Sequence, residues 1–134
     1  MFTVAEANRL LPFLRSALGG ARGHLLELRR SEEEMLRIEA VGRTPAGTLI
    51  LAADHRAAQR RAGEARAECE RLLGDIARHG CLVKDLATGL CDFPAVVAGT
   101  PVLLCWRMDE PAVAFLHGLR DGFAGRRPIP PGTP

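Results

Sequence analysis

The chain has 134 residues, of which 47% are hydrophobic and 25% are charged. This length predicts one domain whose core needs neither disulfides nor a structural metal. The 18 Lys and Arg residues nearly balance the 16 Asp and Glu residues, so we expect no nucleic acid partner. No stretch has the roughly 18 apolar residues of a membrane span, and no signal-peptide pattern is present. We therefore expect no membrane association and a cytoplasmic location.

No Cys-x-x-Cys motif is present among the four cysteines, which are Cys69, Cys81, Cys91 and Cys105. In a reducing compartment, cysteines without such a motif are expected to be free thiols in packed positions. The alternatives are a disulfide or a role in metal binding.

A helical period covers the first part of the chain, residues 1–41. Thr3 and Glu6 have the spacing of a capping box, and apolar residues then recur at alternating intervals of three and four. Pro12 lies inside this period, so we expect a kink near residues 8–12. The apolar stripe along one face of this helix, which we call its seam, consists of Val4, Ala7, Leu11, Leu14, Leu18, Ala21, Leu25, Leu28 and Met35.

The connector that follows, residues 42–53, is interrupted by Gly42, Pro45 and Gly47. Its short apolar run at residues 49–51 has three interpretations: a loop that packs inward, an early turn of the next helix, or an oligomer contact. The sequence does not decide among them.

A second helix is predicted over residues 54–80, with Asp54 as a possible N-cap and Gly80 just after the last turn. Its apolar seam is rich in alanine, and its Arg and Glu residues alternate as on a solvated helix face. Two helices of similar length joined by a short connector predict an antiparallel hairpin.

After Gly80 the apolar residues no longer recur every three or four positions but alternate with polar ones, which predicts strands. We expect four of them, over residues 82–86, 90–97, 102–108 and 112–117, joined by short turns at residues 87–89, 98–100 and 109–111. Short turns make neighbours antiparallel, so residues 82–117 predict a β-meander. The fold class is then α+β, with a long antiparallel helical hairpin followed by a small antiparallel meander packed on it. Residues 118–134 form a Gly- and Pro-rich tail.

Symmetric turns would place Lys84 opposite Asp92, and Asp92 opposite Arg107. Cys105 and His117 share that face because side chains alternate every two residues. This assignment of residues to faces depends on the register of strand pairing, since a slip of one residue swaps the two faces.

The other face is apolar and suited to packing on helices. Asp85 also falls on it, so we expect an exception there, such as a strand end. Its apolar members are Val83, Cys91, Phe93, Val97, Val102, Leu104, Trp106 and Leu116.

The polar face has two interpretations. One is cross-strand ion pairing on a solvated surface. The other is a binding platform on which Arg107 and Lys84 hold a small anionic ligand and Asp92 orients them. Arg126 in the tail is expected to reach back toward this face. The candidate ligand-binding residues are Lys84, Asp85, Asp92, Arg107, Glu110 and Arg126.

His117 and Cys105 are also candidate metal ligands, joined by Glu110 or Asp92, because these donors suit zinc or iron. Their spacing matches no short metal motif. A nucleophilic Cys–His pair is a further alternative, but no third, orienting group is identified, and catalytic residues stay unassigned.

Several segments together resemble the bacterial family of domains of unknown function called DUF2203. They are FTVAEANRLLP, VKDL, GLCDFP, LCWR, Glu110, His117 and GFAGRRP. The family pattern has Val where this chain has Cys91, which argues against a general catalytic role for that thiol. It also has Leu-Gly-Glu where this chain has Met108-Asp109-Glu110, so this turn is expected to differ. The resemblance implies a small cytoplasmic bacterial protein and supplies no activity, substrate or cofactor.

Two function classes follow. The first is a non-catalytic binding or assembly module that dimerises through its helices and presents the polar sheet face to a small ligand or partner. Long seams containing Ala and Gly favour this class. The second is a small enzyme, with or without a metal, whose site is built on His117, Glu110, Asp92, Cys105 and Arg107.

Overall fold

A computed structural model describes all 134 residues of the chain. Two helices precede an antiparallel sheet of five strands, which confirms the predicted α+β class. Neither helix combines the length and the apolar character needed to cross a membrane. The elements are α1 (Val4–Val41), α2 (Ala52–Arg78), β1 (Leu82–Asp85), β2 (Leu90–Val97), β3 (Thr100–Trp106), β4 (Phe115–His117), a 3₁₀ helix (Phe123–Gly125) and β5 (Arg127–Pro128).

The helix ends follow the predicted local signals closely. The Glu6 N–H donates to the Thr3 hydroxyl oxygen at 3.0 Å, as expected of an N-cap. Pro12 lies inside α1, which continues through it as one helix. The second helix begins at Ala52, two residues before the predicted start. Gly80 follows its end with a φ of +88°, a left-handed conformation that glycine adopts without strain.

The chain divides into two compact units. The first contains residues 1–19 and 73–134 and includes the whole sheet, the start of α1 and the end of α2. The second contains residues 20–72, which form a helical hairpin with the connector. The single domain that the length predicted stays a prediction.

The strand order β1-β2-β3-β4-β5 is that of a meander in which each strand pairs with the next. Four of the strands were predicted. The fifth, Arg127–Pro128, lies in the segment that we expected to be a tail, and it adds to the edge of β4. Its two residues have no alternation from which a strand could be predicted.

The turn between β2 and β3 sets the register of the sheet. Residues 98 and 99 both have positive φ, of 50° and 78°, as in the type I′ turns that close two-residue hairpins. Thr100 therefore belongs to β3, and Asp92 pairs with Cys105. The predicted pairing of Asp92 with Arg107 is wrong because it placed Val97 opposite Val102, which leaves four residues between the two strands in place of the observed two. The error is two residues, so the face of each side chain is unchanged.

The apolar face of the sheet forms part of the core of the first unit. Phe93, Leu104 and Trp106 are fully buried on it, as the alternation predicted. The helix segments of the same unit cover this face. The ring of Phe2 meets Phe93 edge-on at 5.2 Å, and Arg15 lies over the Trp106 ring at 5.2 Å.

Candidate metal centre

Three chemically active side chains from three adjacent strands meet on the opposite face of the sheet. Asp92 on β2 is the register partner of Cys105 on β3. His117 on β4 pairs with Leu103, two residues before Cys105, and so lies on the same face. One donor atom from each of the three side chains lies within 4.8 Å of the other two. All three residues are buried, with at most 2% of their surface exposed.

The orientation of the His117 ring is fixed by a backbone carbonyl. Its Nδ1 lies 2.8 Å from the Gly118 carbonyl oxygen, which can only accept a hydrogen bond. Nδ1 therefore carries a proton and donates it. The other ring nitrogen, Nε2, points into the cluster and lies 3.1 Å from Asp92 Oδ2. Nε2 then either holds a second proton or presents a lone pair.

The Asp92 carboxylate is only partly satisfied by the protein. Its Oδ2 contacts His117, whereas Oδ1 is buried without a hydrogen-bond partner. A buried carboxylate oxygen without a partner is costly, because it has lost water and gained nothing in exchange. This oxygen is the feature of the cluster that most needs a physical explanation.

The Cys105 thiol is neutral near pH 7 in the metal-free protein. Burial raises its pKa to about 12, and the negative charge of Asp92 acts in the same direction. All four cysteines are free and buried, as the sequence predicted. A cation that bound this sulfur would have to displace the thiol proton.

A second buried polar group lies beside the cluster. Arg126 Nη2 donates to both carboxylate oxygens of Glu110, at 2.7 and 2.9 Å, and lies 3.3 Å from the Cys105 carbonyl oxygen. Its guanidinium stacks on Phe115 at 4.2 Å and on Phe123 at 4.6 Å. Arg126 thus reaches back over the polar face, as expected from the sequence.

Glu110 connects this group to the end of β3. Its Oε1 accepts a hydrogen bond from the Arg107 backbone N–H at 2.6 Å, and its backbone carbonyl accepts one from Trp106 Nε1 at 3.0 Å. Glu110 is therefore fully used in holding the loop and Arg126, and it does not join His117 and Cys105. Of the two predicted third ligands, Asp92 is the one at the cluster.

The DUF2203 family model, described as an uncharacterized conserved protein, matches residues 1–129. The chain belongs to the DUF2203 family. This confirms the resemblance found in the sequence motifs, and the family description supplies no activity. No curated protein and no solved structure matches the chain.

The row of Lys84, Asp92 and Arg107 that we expected on the sheet surface does not exist in this DUF2203 protein. Leu82 takes the position opposite Asp92, and the register of β1 shifts between Val83 and Asp85, so Lys84 lies in a bulge. Arg107 follows the last residue of β3, and its Nε pairs with Asp109 at 2.6 Å. Asp92 faces His117 in place of either cation.

Asp85 has a local structural role that explains why an acidic residue falls on the apolar face. It is the last residue of β1 and is exposed. Its carboxylate accepts hydrogen bonds from the Thr88 hydroxyl at 2.7 Å and from the Ala87 N–H at 3.3 Å. The Thr88 hydrogen bond also holds the Asp85 pKa below its ordinary value. The expected exception at a strand end is confirmed.

Some features of the DUF2203 cluster had no sequence signal. The Gly118 carbonyl that orients His117 is a backbone group, and no residue type marks it. The burial of the polar face was also missed, because Arg126, which lies over part of it, is in a segment without periodicity. Binding of a small ligand stays a prediction for Lys84, Asp85, Asp92, Arg107, Glu110 and Arg126.

Proposed function

We propose that this DUF2203 protein is a metal-binding protein that holds one divalent transition-metal ion, with zinc the best fit, through Asp92, Cys105 and His117. The observation that carries the proposal is the partnerless Oδ1 of Asp92, buried beside His117 Nε2 and the Cys105 thiol. A cation between these groups would give the orphaned oxygen a partner.

The donor set has the chemistry of a zinc ligand shell. A thiolate sulfur, an imidazole nitrogen and a carboxylate oxygen are the three kinds of ligand that zinc takes in proteins. Asp92 and Cys105 would supply two negative charges if both were ionised. They would neutralise a divalent ion, which favours burial of the complex because no net charge is left away from water.

The distances are close to those that a bound ion requires. Zinc bonds of about 2.0–2.3 Å in a tetrahedron put ligand atoms roughly 3.3–3.8 Å apart. The Nε2–Oδ2 separation is 3.1 Å and the three donor atoms lie within 4.8 Å of one another. The Gly118 carbonyl supports the proposal further, because metal-binding histidines usually donate their other ring N–H to such a group.

The burial of the site favours binding over turnover. Three protein ligands leave a position for a fourth, as in catalytic zinc sites, but Asp92, Cys105 and His117 are all at least 98% buried. Glu110 and Arg107, which the alternative enzyme hypothesis also used, are engaged with Arg126 and Asp109. The enzyme, and the anion-binding role of the polar face, stay predictions. We also propose a cytoplasmic location, since free buried thiols suit a reducing compartment.

The test is metal analysis of the untagged protein, followed by competition with a chromophoric chelator. We expect about one zinc per chain and a loss of affinity of about 100-fold or more in His117→Ala or Cys105→Ser. Cys69→Ser is the matched control, because Cys69 is a buried cysteine of the helical hairpin and should leave affinity unchanged. Iron in place of zinc would change the metal and keep the site.

Cobalt substitution gives a second readout that depends on the sulfur ligand itself. A Cys105 thiolate bound to cobalt gives a near-ultraviolet charge-transfer band, which Cys105→Ser should abolish and Cys69→Ser should keep. If the pair Asp92–His117 is only a buried ion pair, the protein will bind no stoichiometric metal and a chelator will not lower its melting temperature. That result would refute the proposal.

A further inference from the structure

The helical hairpin carries an unusual group of exposed apolar side chains where α1 ends and α2 begins. Val41 and Ile50 are each 54% exposed, and Leu51 is 37% exposed. Exposed apolar residues that are scattered singly are normal on proteins, whereas several together indicate a contact surface. We call this group, with the groove beside it, the hairpin tip.

The connector holds these side chains in place with backbone hydrogen bonds. The Ile50 N–H donates to the Gly42 carbonyl oxygen at 3.0 Å, and the Thr44 N–H donates to Thr48 at 2.8 Å. Arg43 and Leu49 also form an antiparallel bridge. The run at residues 49–51 is therefore a fixed part of the surface, and most of it does not pack inward.

A groove of about 260 Å³ lies at the hairpin tip, with an apolar floor and a charged rim. Ile38, Val41 and Leu51 supply the apolar lining. The rim carries both signs of charge. Glu34 is already paired with Arg61 at 2.8 Å, whereas Arg37 and Asp54 are exposed and make no ion pair within the chain.

We infer that the hairpin tip is the contact through which two copies of this chain form a dimer. A two-fold contact brings the same patch of each copy together, so the patch must be complementary to itself. The hairpin tip meets this condition, because Arg37 of one copy can face Asp54 of the other around a shared apolar centre. An apolar centre with a polar rim is the usual anatomy of a protein interface.

The size of the patch sets the strength of the contact. A few apolar residues and two symmetry-related ion pairs form a smaller surface than the roughly 800 Å² per partner of a standard stable interface. We therefore expect a reversible dimer with a dissociation constant in the micromolar range. The inference is independent of the metal proposal, since it uses only residues of the helical hairpin.

Sedimentation velocity over a concentration series tests the inference. The wild-type protein should shift from monomer to dimer as its concentration rises through the micromolar range. Val41→Glu should raise the dissociation constant by about tenfold or more, because Val41 lines the groove and is exposed, and the variant places a charge in the apolar centre. Leu26→Glu is the matched control, since Leu26 is 47% exposed on the same hairpin and lies outside the groove.

Charge reversal tests the two-fold arrangement itself. Arg37→Glu and Asp54→Arg should each weaken the dimer several-fold, and the double variant should restore it, because the reciprocal pairs are then re-formed. Circular dichroism of each variant checks that the helices are intact. A wild type that is monomeric throughout, or a dimer weakened equally by Leu26→Glu and Val41→Glu, would overturn the inference.

Discussion

The ion pairs of the two units have similar geometry and very different surroundings. The first unit contains the sheet, and we call it the sheet unit. In it the side chains of His117 and Asp92 are each 3% exposed, and those of Arg126 and Glu110 are 11% and 16% exposed. In the helical hairpin, Arg66 and Glu32 are 59% and 51% exposed. Distances alone would rank these pairs together, since they lie between 2.7 and 3.4 Å.

Burial, and not distance, decides what such a pair contributes. Exposed pairs are worth about 0–1 kcal/mol, because water and salt screen them. Breaking a buried pair leaves one charge without water or partner, at a cost of about 3–5 kcal/mol. The sheet unit therefore concentrates groups whose removal is costly, whereas the hairpin surface tolerates change.

The largest expected effect tests this contrast directly. Glu110→Ala should lower the free energy of unfolding by about 3 kcal/mol or more, because it leaves the Arg126 guanidinium buried and unpaired. Arg66→Ala in the hairpin should lower it by about 0.5 kcal/mol or less. Urea unfolding of both variants measures the difference. Equal losses would mean that burial does not separate the two units.

Replacing a glycine by alanine should destabilise the protein at one position of the sheet unit and stabilise it at one position of the helical hairpin. At Gly89 the φ is +69° and an added Cβ would lie 2.5 Å from the Cβ of Met108, so Gly89→Ala should destabilise by about 2 kcal/mol. At Gly63, inside α2, an added Cβ meets nothing within 4 Å. Gly63→Ala should stabilise by roughly 0.5–1 kcal/mol. Melting temperatures that move in the same direction would contradict the comparison.

Alkaline pH should weaken the sheet unit through its buried thiols. The Cys105 pKa is raised from 9.0 to about 12 by burial, so above pH 9 the unfolded thiol ionises while the folded one does not. Stability from this group is present below pH 9 and is lost as the pH rises toward 12, by about 1 kcal/mol per pH unit. Urea unfolding of metal-free protein at pH 9 and 10 measures the loss, which should be smaller in Cys105→Ala.

The helices and the faces of the sheet could be predicted because each depends on how apolar residues are spaced along a short stretch of the chain. Alternation placed Asp92, Cys105 and His117 on one face, and this is where they lie. Partners across the sheet depend on turn length, which the sequence did not give. Ala98 adopts a positive φ that only a few per cent of non-glycine residues have, so a two-residue turn there was not expected.

The burial of the candidate site could not be predicted for a different reason. Part of it comes from Arg126, which contacts Phe115 and the Cys105 carbonyl across many intervening residues and follows no repeat. Alternation tells which side of a sheet a residue occupies, but it does not tell what covers that side. The polar face was therefore expected to be open.

The two-residue turn between β2 and β3 leaves no spare residue in this hairpin to absorb a change of register. Because side chains alternate every two residues, a single residue inserted in β2 between Asp92 and the turn would, with the turn kept, direct Asp92 away from Cys105 and His117. Two residues inserted at the same place would keep all three donors on one side.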